Sequence, residues 1–456
     1  MSKIFEDLPK IIFIFCLIAI VFGGTYLLGA VSYRNNLPPM KQLITAYRML
    51  FVENSPVARA PRGAHMQPSR GQGDGVTVNE APDQGSLISL VGFFEEQTQL
   101  RLIRRDGTLV HKWSLDYLEH FPDPEARHCR MSNPLSTDVH GAHVTPQGDV
   151  IFNYEYCGTV KLDQCGEVLW TINKPTHHSV VPAEAGGYWI LGRKIWPVAA
   201  EPDRFPPFST FVTERHIQED TLMRVAEDGE ILEEVSIPEK MVESGLEALL
   251  TANGENFVLR KPAPRIELVH SNKAAELSSE IADAFPLFKA GDIAISMREL
   301  NLVIVMDRDT KEVKWYQTGP WLRQHDPEFR PDGRISIFNN NTYHTSYEFD
   351  QTILSRPFTT NIMVIDPVTR KTEVVYGEKP GQELFSVIRG QHELLENDGI
   401  LIIEFDAGRI LEVNAEREIV WEYVNRYNDD YVGEIVNAAV HPAEYFQADF
   451  NSCAER

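Results

Sequence analysis

The chain is short of several features that mark common classes of protein. Five cysteines in 456 residues are too few for a scaffold built on disulfides. Positive charge is also scarce, because 43 lysine and arginine residues stand against 66 acidic residues and give a formal charge of −23. This anionic excess argues against a nucleic-acid partner, which needs clustered cations. The sequence has no phosphate-binding glycine loop, no zinc-spaced Cys/His cluster and no Gly-x-Ser-x-Gly motif.

A long hydrophobic run occurs once, over residues 11–31, which carry no charge. As a helix this run would be about 31 Å long, enough to cross a hydrocarbon core of about 30 Å. A cleaved signal peptide usually has a shorter apolar region, of about 7–15 residues, followed by a small-x-small site, and Gly29-Ala30-Val31 matches that site poorly. We therefore expect residues 1–34 to form an uncleaved single-pass membrane anchor. Its flanking charges are too evenly balanced to set the orientation.

Two further segments are predicted before the folded domain. Residues 35–57 form an amphipathic stalk helix that starts near Pro38-Pro39 and lies on the membrane surface or packs as a stalk. Residues 58–85 are rich in proline, glycine and arginine and have no hydrophobic period, which is typical of a flexible linker.

The cysteines leave several pairings open. Cys16 lies in the hydrophobic run and Cys453 near the end of the chain, so Cys129, Cys157 and Cys165 remain for the body of the protein. A bridge from Cys157 to Cys165, a bridge from Cys129 to Cys157, or three free thiols are all compatible with the sequence.

An internal repeat predicts the fold. A short motif occurs six times, at residues 108–111, 167–170, 230–233, 312–315, 373–376 and 418–421. In each copy an acidic residue or threonine is followed by a strand of β-branched residues or leucine. Further strands precede each copy, so that each unit holds about four. A four-stranded unit repeated radially is a propeller blade, and closure of the ring protects the sheet edges. We expect an all-β, six-bladed β-propeller over residues 86–456, preceded by the transmembrane helix, with a strand near residues 432–440 closing the first blade. Tandem sandwiches would need linkers after residue 85, and none is visible.

Histidines recur at one phase of this repeat, near the start of the innermost strand of successive units. They are His140, His143, His177, His178, His270, His325 and His392. Because the innermost strands surround the central channel, repeat phase alone would bring these side chains to one axial site. Imidazole acts as a nucleophile when neutral and as a donor when charged, so the site suits group transfer to or from an anion.

An ordered set of motifs between residues 269 and 340 resembles the arylsulfotransferase (arylsulfate sulfotransferase) family. The set is His270-Ser271-Asn272, Ser296-Met297-Arg298, the strand pair 307–315, Gln324-His325 and Phe338-Asn339-Asn340. Residues 138–143, with Gln147-Gly148-Asp149, resemble an earlier histidine-and-glycine segment of that family. The resemblance implies a six-bladed propeller, often exported in bacteria, that moves a sulfuryl group from an aryl sulfate donor to a phenolic acceptor through a sulfohistidine. It implies no nucleotide, and no cofactor or metal is expected.

The resemblance also assigns roles to residues. His270 and His325 match catalytic histidines and are expected to stabilise the oxyanion and move protons, while His392 is the candidate nucleophile. Asn272, Arg298, His344, His143 and His178 are expected to bind substrate, and Arg356 is expected to take part in catalysis. The sequence departs from the family after Asn340, where His344 stands in place of an arginine, and Arg356 matches a second family arginine.

Two other functions remain open. A quinone-cofactor dehydrogenase is disfavoured, because only residues 307–315 resemble its tryptophan-docking phrase and such folds usually have eight blades. A catalytically silent propeller that docks a protein partner needs only the acidic surface and the membrane tether. If the protein is a transferase of the exported kind, we expect the propeller on the periplasmic, extracytoplasmic side of the inner membrane.

Overall fold

The computed structural model describes residues 2–34, 65–123, 138–197, 216–250, 265–342 and 360–455, without position 72 and with positions 125, 127–129, 202, 204, 205 and 209 in addition. The stalk helix predicted at 35–57 lies outside the described residues. The chain divides into two compact units, Met1–Ala64 and His65–Arg456.

The first unit contains helix α1 (Ser2–Arg34). Large apolar side chains on this helix are exposed, among them Phe13, Phe15, Phe22 and Tyr26. In the part of the chain that the structure describes, no helix is both long enough and apolar enough to cross a membrane. The anchor predicted from residues 11–31 is therefore not confirmed.

The second unit is built from strands. In chain order they are β1 (Met66–Pro68), β2 (Gly75–Asn79), β3 (Leu87–Phe94), β4 (Gln97–Arg104), β5 (Leu109–Ser114), β6 (Val139–Val144), β7 (Val150–Tyr154), β8 (Gly158–Leu162), β9 (Val168–Ile172), β10 (Thr176–Pro182), β11 (Tyr188–Trp196), β12 (His216–Val225), β13 (Ile231–Ser236), β14 (Arg265–Glu267), β15 (Ser271–Glu276), β16 (Ile293–Met297), β17 (Leu302–Met306), β18 (Val313–Thr318), β19 (His325–Phe329), β20 (Ile335–Asn339), β21 (Asn361–Ile365), β22 (Thr372–Tyr376), β23 (Gln391–Leu394), β24 (Ile400–Glu404), β25 (Arg409–Val413), β26 (Ile419–Val424), β27 (Tyr431–Gly433) and β28 (Ile435–His441). Within the described residues, short helices α2 (Tyr117–His120), α3 (Ile237–Glu243) and α4 (Glu247–Leu250) and four 3₁₀ turns lie between strands, and a fifth 3₁₀ turn, Phe450–Glu455, follows β28.

Six antiparallel sheets form six blades, as predicted. From the innermost strand outward they are β28-β3-β4-β5, β6 to β9, β10 to β13, β15 to β18, β19 to β22, and β23 to β26 with β2 at the outer edge. Strand β14 adds to the third blade, parallel to β12, and β1 pairs with β27. The repeated sequence motif coincides with the outermost of the four strands in each unit.

The ring closes between the two ends of the domain. Strand β28 pairs with β3, with His441 opposite Leu87 and Ala438 opposite Leu90. The closing strand predicted near residues 432–440 is confirmed. It supplies the innermost strand of the first blade from the C-terminal end of the chain, which protects the edge of that sheet.

The second and third strands of each blade form the core, because the blades pack face to face. Strands β16 and β17 are buried along their full length, and so is β24. Their continuous apolar runs, such as Leu302–Met306, reflect burial on both faces. The structure differs from the sequence prediction over residues 65–85, which were expected to be flexible. There β2 pairs with β26, and Val76 packs into the core of the sixth blade, because the edge of that blade offers free hydrogen-bonding groups.

The cysteine pairing is settled by this closure. Cys129 is bonded to Cys157, which was one of the open alternatives, and Cys165 is bonded to Cys453, so a Cys157 to Cys165 bridge is excluded. Cys453 reaches Cys165 because the segment after β28 continues over the second blade, where the Gln447 amide donates to the Pro146 carbonyl at 2.8 Å.

Candidate functional site

The innermost strands share a distortion at their axial starts. The register of the innermost pair shifts at this point in β6, β10, β15, β19 and β28. At or just before these starts, His178, His270, Asp326 and Arg389 have left-handed backbone with φ between 53° and 56°. A bulge bends its strand and turns a side chain in a new direction, and left-handed backbone in residues other than glycine is a cost that persists at functional sites. The irregular backbone is thus concentrated where the histidines recur.

A cavity of about 420 Å³ lies on the axis and is lined by residues of all six blades. Its wall includes His140, His178, Asn272, His325, Arg389 and His392 from the starts of the inner strands. Further along the same strands it includes His143, Glu328, Glu393 and His441. Gly141 belongs to this wall, and a side chain there is excluded because a Cβ would lie 2.1 Å from the His178 carbonyl oxygen.

Four imidazoles and a carboxylate meet at one side of the cavity. His140 Nδ1 lies 2.9 Å from Glu155 Oε2, and His178 Nδ1 lies 3.6 Å from the same oxygen. The ring of His178 stands edge-on to that of His140, with centroids 4.6 Å apart, and edge-on to that of His270, with centroids 5.1 Å apart. His177 Nδ1 lies 2.8 Å from His178 Nδ1.

The two histidines nearest Glu155 differ in their protonation state. Burial and the charge of Arg389 lower the pKa of His140, but the carboxylates of Glu155 and Asp138 outweigh them and raise it to about 9. Burial opposes ionisation of Glu155, yet His140 holds its pKa at about 2. The pKa of His178 is well below its ordinary value, because of burial and then the neighbouring histidines. His140 and Glu155 thus form a charged pair beside a neutral His178.

His270 is surrounded by charged groups. Its Nδ1 lies 2.7 Å from Glu267 Oε1 and 3.2 Å from Arg298 Nη2. Arg298 in turn donates to Glu299 at 2.8 Å. Burial, and then the charge of Arg298, put the pKa of His270 well below its ordinary value. Its Nε2 is buried and makes no hydrogen bond within the described ranges.

His325 is held in a single tautomer. The side-chain amide of Asn340 donates to the backbone carbonyls of Ser386 and Arg389, so its Oδ1 must accept from His325 Nδ1, 2.7 Å away. Burial, and then the charge of Arg298, lower the pKa of His325 to about 3, so the ring is neutral near pH 7. The lone pair therefore lies on Nε2, for which the described parts of the chain provide no hydrogen-bond partner.

His392 is more tightly engaged. Its Nε2 lies 2.7 Å from Ser336 Oγ, and its Nδ1 lies 3.0 Å from Asp326 Oδ2. Asp326 Oδ2 also accepts from the backbone amide of His392 at 2.7 Å. Since Ser336 is fully buried, this Asp-His-Ser chain fixes the ring and presents no free hydroxyl to the cavity.

Two cations lie on the cavity wall. Lys273 Nζ lies 2.8 Å from Asp326 Oδ1 and 2.9 Å from Glu328 Oε1. The guanidinium of Arg389 pairs with Asp138, and it stacks over the ring of Phe405 at 4.5 Å. Both cations line the same cavity as His325 and His392 and could contribute to binding of an anion there.

The structure brings most of the residues predicted from the sequence together. His325, His392, His143, His178 and Asn272 line the cavity. His270 contacts His178 and Arg298 contacts His270, one layer behind the wall. His344 and Arg356 lie outside the described residues.

Asp138 and Asn340 belong to motifs recognised in the sequence but had no predicted role, and Glu155 and Arg389 were not predicted. A signal existed for Arg389, because Arg389-Gly390 directly precedes the Gln391-His392 pair. A Cβ at Gly390 would lie 2.2 Å from Phe338, so the glycine there is required by close packing. No sequence pattern indicated Glu155, because this residue follows β7 and comes close to His140 only through the pairing of β7 with β6.

The family model for arylsulfotransferase (ASST) matches residues 140–426, more than half of the chain. No curated protein matches the chain. Among solved structures, a protein of unknown function from Bacteroides caccae is similar with 12% identity over 78% of this chain and 98% of that chain, at a TM-score of 0.45. Virginiamycin B lyase from Staphylococcus aureus is similar with 11% identity over 68% of this chain and 85% of that chain, at 0.34. The match to the family model spans five of the six blades and the histidine positions described above, and the chain belongs to the arylsulfotransferase family.

Proposed function

We propose that the protein transfers a sulfuryl group from an aryl sulfate to a phenol through a histidine on the wall of the axial cavity. The family supports sulfuryl transfer in general. The observation that carries the proposal is His325, a neutral imidazole with a fixed tautomer and an Nε2 lone pair in a cavity that also presents Lys273 and Arg389.

The chemistry runs in two half-reactions. His325 Nε2 attacks the sulfur of the donor, so the S–N bond forms while the S–O bond to the aryl group breaks and the aryl oxygen leaves as a phenolate. A phenolic oxygen then attacks the same sulfur after losing its proton, and the S–N electrons return to Nε2. Asn340 keeps the proton on Nδ1 throughout, as the orienting group of the histidine does in a catalytic triad.

Positive charge on the wall serves the transition state. The charge of a sulfuryl group in transfer is spread over its oxygens, and preorganised donors around those oxygens lower the barrier. Lys273 and Arg389 line the cavity, and their carboxylate partners hold both cations in place. The same cavity wall offers Asn272 as a polar contact for substrate.

His392, the nucleophile predicted from the sequence, remains the competing acceptor. Its Nδ1 lies against Asp326, and the bond from Nε2 to Ser336 must be given up before the nitrogen can attack. The geometry therefore favours His325. A covalent adduct on one ring or the other separates the two assignments.

The test is phenol release from a chromogenic aryl sulfate, with and without a phenolic acceptor, followed by mapping of the trapped adduct by mass spectrometry at mildly alkaline pH. Trypsin places His270, His325 and His392 in separate peptides. We expect release that the acceptor stimulates and an adduct in the His325 peptide that is lost in His325→Ala. His216→Ala, at an exposed ring away from the cavity, is the matched control.

The outcomes lead to different conclusions. An adduct on His392 or His270 reassigns the nucleophile and keeps the reaction. Release at the same rate in wild type, His270→Ala, His325→Ala and His392→Ala, without an adduct, rejects sulfuryl transfer and leaves the propeller that docks a protein partner.

We also propose that the propeller works outside the cytoplasm, on the periplasmic side. Two disulfides support this, since such bonds form and persist mainly in oxidising compartments. Attachment to the membrane through α1 stays a prediction. Alkylation of thiols in intact cells, read with and without prior reduction, should show four protected cysteines. Protease added to spheroplasts should digest the propeller, and full protection with free thiols would contradict this location.

A further inference from the structure

We propose that His140, His178 and Glu155 bind a divalent transition-metal ion at the wall of the axial cavity. Two imidazoles and one carboxylate, with a further position left for water or a ligand, are a common donor set for zinc and related ions. One ligand atom from each of the three residues lies within 4.8 Å of the others. The inference does not depend on sulfuryl transfer.

The distances suit such an ion. Donor atoms at about 2.0–2.1 Å from a tetrahedral ion lie about 3.3–3.4 Å from one another. Glu155 Oε2 lies 2.9 Å from His140 Nδ1 and 3.6 Å from His178 Nδ1, on either side of that value. Three donors that already point at one another need only small rotations to surround an ion.

Two of the three donor atoms face only each other. Glu155 Oε2 and His140 Nδ1 are buried and make no bond of hydrogen-bonding geometry within the described residues. Their charged contact at 2.9 Å is what offsets their burial, and a bound ion would take its place. His178, 93% buried, is held by left-handed backbone that points its ring at Glu155.

Neighbouring side chains can orient the rings of His140 and His178. His140 Nε2 lies 3.5 Å from Asp138 Oδ2, so the carboxylate can hold the ring from behind. His177 Nε2 donates to the Gly192 carbonyl, which leaves His177 Nδ1 to accept from His178 Nδ1. Binding of the ion would move the proton of His178 to Nε2 and release the Nδ1 proton of His140 to solvent.

A second cluster nearby shows what distinguishes the first. Glu267, His270 and Glu299 also place their donor atoms within 4.8 Å. Arginines pair with both of its carboxylates, Arg193 with Glu267 at 2.6 Å, and Arg298 and Arg323 with Glu299 at 2.8 and 3.0 Å. Their guanidinium groups repel a cation, whereas among the described residues Glu155 pairs with His140 and His178 and with no arginine or lysine. Near the first cluster, the guanidinium of Arg389 pairs with Asp138.

The ion would be open to the cavity. His140 and His178 both line the cavity, while Glu155 lies behind them, so the remaining coordination position faces the cavity. An oxyanion is the class of ligand that suits this position.

The test is binding of Zn²⁺ to the full-length, tag-free chain after treatment with a chelator, measured by calorimetry and by metal analysis after dialysis. We expect one ion per chain, and no comparable binding of Mg²⁺, which prefers oxygen ligands. Glu155→Gln, which keeps the shape of the side chain, and His140→Ala should each weaken binding more than about 100-fold. Asp138→Asn should weaken it by about 10–100-fold.

His143→Ala is the matched control, because His143 lines the same cavity outside the cluster. It should bind Zn²⁺ as the wild type does. Absorption of bound Co²⁺ adds a readout of coordination by nitrogen and oxygen, and circular dichroism shows whether each variant is folded. If the wild type binds no ion, or if folded Glu155→Gln binds as tightly as the wild type, the site is rejected.

Discussion

The bond between Cys165 and Cys453 should contribute more to stability than the bond between Cys129 and Cys157. The first joins residues 288 positions apart and the second residues 28 apart. In the chain-entropy model a crosslink stabilises by restricting the unfolded chain, with a contribution that grows with the logarithm of loop length. The model gives about 5.7 kcal/mol for the long loop and about 3.6 kcal/mol for the short one.

The native fold should survive loss of the long-range bond, which is what makes the comparison informative. Strand β28 still pairs with β3, and the Tyr445 hydroxyl still donates to the Val144 carbonyl at 2.8 Å. Phe450 packs against His111 and Trp113, with ring centroids 5.0 and 5.7 Å away. The change therefore falls mainly on the unfolded chain.

The assay is equilibrium unfolding in guanidinium chloride, followed by tryptophan fluorescence, for Cys165→Ser/Cys453→Ser against Cys129→Ser/Cys157→Ser. Both variants also carry Cys16→Ser, because Cys16 is the free cysteine among the described residues and would exchange with the bonds. We expect the long-loop variant to lose about 2 kcal/mol more in free energy of unfolding.

The control makes the comparison stringent. Cys157 packs in the core between the first two blades, so its replacement adds a loss of packing to the loss of the bond. If the long-loop variant nevertheless loses no more than the short-loop variant, at equal denaturant slopes, the reasoning from loop entropy is refuted for this chain.

Three further predictions concern the cavity. Burial raises the pKa of Glu393 to about 7, so between its ordinary value of 4.5 and pH 7 the folded protein keeps a proton that the unfolded chain releases. The free energy of unfolding should therefore fall by at most about 3 kcal/mol as pH rises through this window and level off above it, and Glu393→Gln should remove that fall in denaturant titrations; an unchanged pH profile would contradict the assignment. Asn340→Leu should lower the transfer rate by about 10²-fold with little change in KM, because the ring of His325 loses its orientation, and a change in KM alone would speak against a positioning role. Lys273→Met should cost about 3–5 kcal/mol in thermal or denaturant unfolding by leaving Asp326 buried without its cation, and Lys273→Met/Asp326→Asn should recover much of that loss if the charge is the cause.

The number of blades could be predicted from the sequence because the signal is local. The outer strand of each blade alternates apolar and polar residues after a turn, as in β18 and β26, and this pattern repeats wherever a blade repeats. The closing strand was predictable for the same reason, since β28 is an apolar run with no other partner in its own unit. Repeat phase also placed His325 and His392 at the same cavity.

Other features depended on the closed ring. The pairing of Cys165 with Cys453 requires the tail to cross the second blade, and a neighbour in space but not in sequence leaves no pattern. Residues 65–85 looked like a linker, because glycine and proline obscure the short strand β2, whose partner β26 lies more than 300 residues later.

The chemistry of the site also depends on the tertiary structure. The sequence by itself determined that histidines recur at the axial ends of the inner strands. Only the tertiary structure decided which ring nitrogens are free, because that depends on Asn340 for His325, on Asp326 and Ser336 for His392, and on Glu155 for His140. Bulges and left-handed backbone at the strand starts set these directions, and such irregular geometry is imposed by packing between blades, which no local sequence pattern encodes.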